Sequence, residues 1–124
     1  MKSIETISVL YHKIFHSLSD NQNLRACVTG IYTNVPKKVI IPYLNINIVD
    51  YKYLHAFAIK DKLSCHIYAF HLDKMFYIMK QINITLKNFH DPHKHILIER
   101  NGIISQRDEI LHSIMNFDIL TREE

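Results

Sequence analysis

An α+β fold is what this sequence predicts, with a mainly antiparallel sheet of about five strands and two helices packed on one face. Three observations carry that prediction. Two segments place apolar residues at helical spacing, several others alternate with period two, and the links between the alternating segments are mostly short. Short links favour antiparallel neighbours, and one apolar stripe per helix favours seating both helices on the same side of the sheet. The predicted order is α-β-β-β-α-β-β.

The first helix spans about Ser3 to Leu18. Ile7, Leu10, Tyr11, Ile14 and Leu18 recur at i, i+3, i+4, i+7 and i+11, and Ser3 is the expected N-cap. The polar run "SDNQN", Ser19 to Asn23, ends it as a turn. "LRACV", Leu24 to Val28, reads equally as a short helical or an extended piece.

From Gly30 the period changes to two. Ile31 to Thr33 is a short strand. Leu44, Ile46 and Ile48 alternate with Tyr43, Asn45 and Asn47, so Tyr43 to Asp50 is a half-buried strand. Between them, "VPKKVIIPY" carries two of the three prolines in the chain. Proline lacks the N–H that a ladder needs and biases its predecessor to extended geometry. Pro36 therefore ends the short strand, and Pro42 opens the long one, where a missing donor does least harm. Lys37 and Lys38 are left on a stiffened loop between the two.

Leu63, Cys65, Ile67 and Ala69 alternate with Ser64, His66, Tyr68 and Phe70 as a further strand, and "YKYLHAFAIKD" continues the two strands into a long loop or hairpin. Met75, Ile78, Met79, Ile82, Leu86 and Phe89 then form a continuous apolar stripe. Asp73 is the expected N-cap, Leu72 can staple onto Tyr77, and Pro92 stops the helix. Ile96 to Glu99 and Ile110 to Ile119 close the sheet, joined by the polar "RNGIISQRDE", whose Asn101–Gly102 pair marks a turn.

Composition bounds the class. At 124 residues the chain is expected to form one domain, 1–124, and 48% hydrophobic against 22% charged residues favours folding over disorder. A net charge of +3, with acids and bases interspersed, is weak for a dedicated nucleic-acid binder. "MKSIETISVL" holds no apolar stretch long enough for a signal peptide or a membrane span, so a cytoplasmic chain with two reduced thiols and no membrane partner is expected.

Nine histidines invite a metal reading. His12 and His16 share a helical face, but it lies opposite the apolar stripe and no carboxylate stands a turn away. In "HDPHKH", His93 and His95 would share a side of an extended segment, with His90 or Asp91 folding over as a third ligand; a polar linker explains the run as well. His66 is expected to face solvent or a neighbouring subunit, and Cys65 to be a small core residue. The nucleophile elbow, the P-loop, Cys-x-x-Cys and the zincin pattern are all missing. Asp20, Asp50, Asp61, Asp73, Asp91, Asp108 and Glu109 fall mainly at predicted element ends, where caps and turns account for them. No enzyme, cofactor or metal is expected.

Aromatic surface is left over. Tyr68 and Phe70 lie on the predicted strand face away from the core, and Tyr51, Tyr53 and Phe57 lie in the predicted long connection. Such residues suit protein–protein contact or a second layer of a small core. A small nucleic-acid-binding α+β module is an alternative, stacking bases on Tyr68 and Phe70 beside Lys62 and His66.

"IYTNVPKKVIIPYLNI", with Ile31, Tyr32, Val35, Pro36, Pro42 and Tyr43 in order, resembles the motif that enters the first long strand of the tail completion proteins of tailed bacteriophages and gene transfer agents. Ile41 stands where that family commonly has an aromatic. "KLSCHIYAFHLDKMFYIMKQINITL" is similar to the strand and helix that follow in those proteins, with Tyr68 and Phe70 where a Trp is often seen, and "RDEILHSIMNFDIL" to their closing strand. The resemblance runs from about Ile4 to Leu120. It implies a head–tail joining, tail-terminating subunit that assembles as a ring, usually a hexamer, in the bacterial cytoplasm and then resides in the virion or phage-like particle. Its implied partners are copies of itself, the tail tube protein, the head–tail connector protein and the DNA that passes through the lumen without sequence-specific binding. Lys37, Lys38, Tyr51, Tyr53 and Phe57 are the interface residues expected on that reading.

Overall fold

The computed structural model describes residues 4–55, 58–89 and 96–122, with side chains described over 9–48, 60–89 and 102–120. In chain order the elements are α1 (Ile4–Asp20), α2 (Gln22–Cys27), β1 (Ile31–Tyr32), β2 (Tyr43–His55), β3 (Ala58–Ala69), α3 (Leu72–Lys87), β4 (Ile96–Arg107) and β5 (Ile110–Arg122). The strands form one five-stranded sheet in the order β1-β2-β3-β5-β4. Every pairing is antiparallel except β1 with β2. The α+β class, the five strands and the antiparallel character agree with the sequence.

The core is a single layer between the sheet and three helices. Leu10, Ile14 and Leu18 of α1 stand at the spacing of one helical stripe, as do Met75, Ile78, Ile82 and Leu86 of α3, and all are buried. They pack with Leu24 and Cys27 of α2 onto Leu44, Ile46, Leu63, Cys65, Ile67, Ala69, Met115, Phe117 and Ile119, the alternate residues of β2, β3 and β5. The Tyr11 hydroxyl ties α1 to the sheet by donating to the Ile46 carbonyl at 2.8 Å. Burial pushes the Cys65 thiol up to about 12, as suits an inert core residue.

Several details differ from expectation. Leu24 to Cys27 is helical, within α2, and Val28 is its extended C-cap; the N-cap Asn21 accepts the Leu24 N–H at 3.0 Å. The Asn21 amide also reaches Gln81 Oε1 at 3.2 Å and Thr85 Oγ1 at 2.8 Å, joining the α1–α2 corner to α3. A third helix therefore exists because one polar side chain caps it and holds it. His71, rather than Asp73, occupies the N-cap position of α3, and Asp73 lies in its first turn. Leu72 and Tyr77 are both exposed, at 46% and 43%, and so form no buried staple.

The last hairpin is longer than its composition indicates. Asn101 and Gly102 pair with Asn116 and Met115 inside the ladder, just past an irregularity between Glu99 and Asn101. The turn is Asp108–Glu109, with Asp108 in the left-handed region at φ 57°. "NGIISQR" is polar because this arm forms the outer edge of the sheet, where residues 102–109 are all exposed. Tyr51 and Tyr53 lie within β2, not in a loop, since the ladder to β3 runs as far as His55–Ala58. Asp61 is no turn residue either. It sits inside β3, shares the parity of Leu63 and Cys65, and is only 2% exposed.

Candidate functional site

Three surfaces carry the features that a functional reading must use. The first is the proline corner. The Thr29 N–H donates to the Pro42 carbonyl at 2.7 Å, and the Leu44 N–H donates to the Gly30 carbonyl at 3.1 Å, closing the neck of the loop between β1 and β2. The Thr29 hydroxyl lies against the carbonyls of Ile40 and Pro42. A Cβ on Gly30 would come within 2.3 Å of the Tyr32 hydroxyl oxygen, so glycine is what lets that ring fold back over the neck. Tyr32 in turn meets the Tyr43 ring edge-on, with centroids 6.1 Å apart. Pro42 follows Ile41 through a cis peptide bond. Lys37 and Lys38 are exposed on the loop that this neck holds in place.

The second surface is the sheet face away from the helices. Tyr43, Tyr68 and His112 occupy one cross-strand row, and His66 lies two residues along. Tyr43 stacks on Tyr68 at 4.7 Å, Tyr68 on His112 at 4.3 Å with planes 7° apart, and His112 on His66 at 5.2 Å. His66 Nδ1 and His112 Nε2 stand 3.0 Å apart, so one ring donates and the other accepts. Burial holds the His66 imidazole below its usual value, reinforced by the neighbouring His112, and burial does the same at His112. Both rings are therefore favoured as neutral bases. In the next rows Ser64 donates to Asn116 at 2.9 Å, and Lys60 pairs with Asp118 at 3.5 Å.

This face decides against stacked bases. Both faces of the Tyr68 ring are covered, by Tyr43 on one side and His112 on the other, so only ring edges remain for solvent. Phe70 is 50% exposed but lies past the end of β3, outside the row. A base-stacking platform needs open ring faces, and here the rings use them on each other.

The third is the β4 margin of the sheet, with separate apolar exposure on α3. Helix α3 contacts β3 and β5, and Ser113 of β5 donates to the Met79 sulfur at 3.6 Å. Ile103 and Ile104 of β4 are 58% and 41% exposed on opposite faces of the strand, and Leu72 and Phe76 are exposed on α3.

Of the residues singled out by sequence, Lys37 and Lys38 are exposed on the loop between β1 and β2. The backbones of Tyr51 and Tyr53 are in β2 and their side chains lie outside the described residues, as does Phe57 entirely. The "HDPHKH" segment from His90 to His95 also lies outside them, and His12 and His16 are exposed on α1. Among the described residues no three His, Cys, Asp or Glu side chains are grouped to hold a metal ion, and no helix is long and apolar enough to cross a membrane. The His66–His112 pair was not legible from sequence. Alternation places His66 and Tyr68 on one face, but only the β3–β5 register brings His112 to them.

No family model matches the sequence, and no curated protein is significantly similar to it. Among solved structures, a chain from the virion of a native gene transfer agent particle superposes with a TM-score of 0.70 at 11% identity. The match covers 88% of this chain and 91% of that one, so the two share a fold across almost their whole length.

Proposed function

We propose that this chain is a structural subunit of a phage-like particle. Within that class we assign it to the head end of the tail, where it caps the tail tube and joins it to the head connector. It acts there as a single 1–124 domain in a ring, usually a hexamer, through which DNA passes. The single observation that carries the reading is the near end-to-end fold correspondence with a gene transfer agent virion chain. The proline corner supports it independently, because the resemblance noted in the sequence rests on the residues that build that corner: Ile31, Tyr32, Pro36, Pro42 and Tyr43.

On this reading the work is geometric. A sheet backed by three helices makes a rigid wedge, and its edges and loops make the contacts. Head-to-tail copies of such a wedge close into a ring when the rotation between them divides a full turn. A net charge of +3 suits a lumen that must let DNA slide, since many phosphate contacts would hold it in place.

The test is genetic and structural together. Lys37→Glu with Lys38→Glu should leave the chain folded by circular dichroism while reducing the yield of joined, DNA-delivering particles. Normal particle assembly and DNA delivery by the folded variant would remove these lysines from the mechanism. Negative-stain images showing joined heads and tails in the complete absence of the protein would remove the joining role altogether.

A further inference from the structure

The two long strands nearest the margins of the sheet, β4 and β2, are unequally protected. Strand β4 runs 12 residues as the terminal strand of the order β1-β2-β3-β5-β4. At the other side, β1 pairs only with Leu44 and Asn45, so most of the 13-residue β2 has no described neighbour on that flank. Tyr11 occupies the Ile46 carbonyl, and the open length of β2 begins beyond it. An open edge that carries apolar side chains invites pairing with another strand. Ile103 and Ile104 give β4 that character on both of its faces.

The registers say which edge fits which. Ile96 pairs with Leu120, which is level with Lys60 and so with Lys52 of β2. Asn101 is likewise level with Asn116, Ser64 and Asn47. The Ile96–Asn101 part of β4 therefore stands at the height of the open part of β2. At the other end, the turn Asp108–Glu109 projects past the Tyr43–Tyr68 row, the end of the sheet at which Pro42 closes the loop that carries Lys37 and Lys38. β2 and β4 also run in opposite directions, because antiparallel pairings separate them through β3 and β5. A copy placed beside another without slipping along the strands would continue the sheet antiparallel along the open part of β2, and would set Ile103 and Ile104 level with Asn45 and Leu44, where β1 forms the margin. It would also bring an exposed acidic turn to an exposed lysine pair.

We propose that copies of this chain join head to tail through these opposite edges. The β4 edge of one copy meets the open β2 edge of the next along Ile96–Asn101, its Ile103 and Ile104 reach β1 of that copy at Tyr32 and Ile31, and its Asp108–Glu109 turn faces the Lys37–Lys38 loop. This interface rests on the ring reading above and names the surface that closes the ring. Arg107 stands at the same turn and sets its net charge to −1, so the electrostatic match guides the register while the strand edges supply the contact. The two contacting surfaces differ, which makes the interface heterologous and able to close.

Sedimentation velocity and native mass spectrometry of the full chain, over a range of concentrations, test it. The wild type should form closed rings. Asp108→Lys with Glu109→Lys should weaken association by about tenfold, as should Lys37→Glu with Lys38→Glu, and the combined quadruple variant should recover most of the loss. Ile103→Lys should also weaken it, with circular dichroism unchanged in every variant. Rings of undiminished stability in the reversed variants would overturn this interface and leave the ring reading intact. Folded double variants with no recovery in the quadruple variant would overturn the pairing of these two patches. A wild type that stops at a symmetric dimer would overturn the head-to-tail join, and one that stays monomeric at every concentration would overturn the ring and this interface together.

Discussion

Asp61 gives the most exacting test of the core. Its carboxyl lies on the helix-facing side of β3, 2% exposed, and its Oδ1 meets no hydrogen-bond partner among the described residues. Burial pushes the group up from 3.8 to about 6. The folded state thus holds a proton that the unfolded chain has already released between those values. Stability attributable to this group is full below about pH 4, falls as pH rises towards 6, and is flat above it. A displacement of about two pH units corresponds to about 3 kcal/mol. Asp61→Asn has no proton to lose, so the variant should gain on the wild type by about 2.5 kcal/mol between pH 4 and pH 7. Urea unfolding followed by circular dichroism at pH 4, 5, 6 and 7, with the wild type as reference at each pH, measures that difference. A difference that stays within about 0.5 kcal/mol across the range would show that the carboxyl is solvated and the burial argument wrong.

The His66 and His112 imidazoles should both titrate below 6.5 in ¹⁵N-resolved spectra, and the stability their neutral forms contribute should be present above that pH and lost as it falls. Double protonation makes both ring nitrogens donors and ends the 3.0 Å bond between them, so His112→Ala should move the His66 midpoint upwards. Asn21→Ala should cost about 1–2 kcal/mol in chemical denaturation, because it removes the α2 cap together with the links to Gln81 and Thr85. Ile78→Ala, at a fully buried position of the α3 stripe, should cost about 3 kcal/mol in the same assay.

Much of the fold was legible because it is local. The 3.6-residue stripes of α1 and α3 and the alternation of Tyr43–Asp50 and Leu63–Ala69 are written residue by residue, and burial follows the stripes and, as far as Ile48 and through Ala69, the alternation. Element ends were harder. Asn101–Gly102 has the composition of a turn, yet its backbone is held in the ladder by β5, and the chain reverses at Asp108–Glu109 instead. Asp61 has the composition of a loop residue, yet the pairing of β3 with β5 carries the strand through it. In both places a long-range ladder outweighs local preference.

By itself, the sequence determined the class of fold, the two principal helices, the proline corner and its exposed lysine pair. Those features depend on neighbours a few residues apart, where periodicity, caps and the missing proline N–H act directly. Tertiary structure alone decided which rings stack, that His66 meets His112, and which strand edges have no neighbour among the described residues. These depend on register and strand order across tens of residues, and a shift of one residue would turn every one of those side chains to the opposite face.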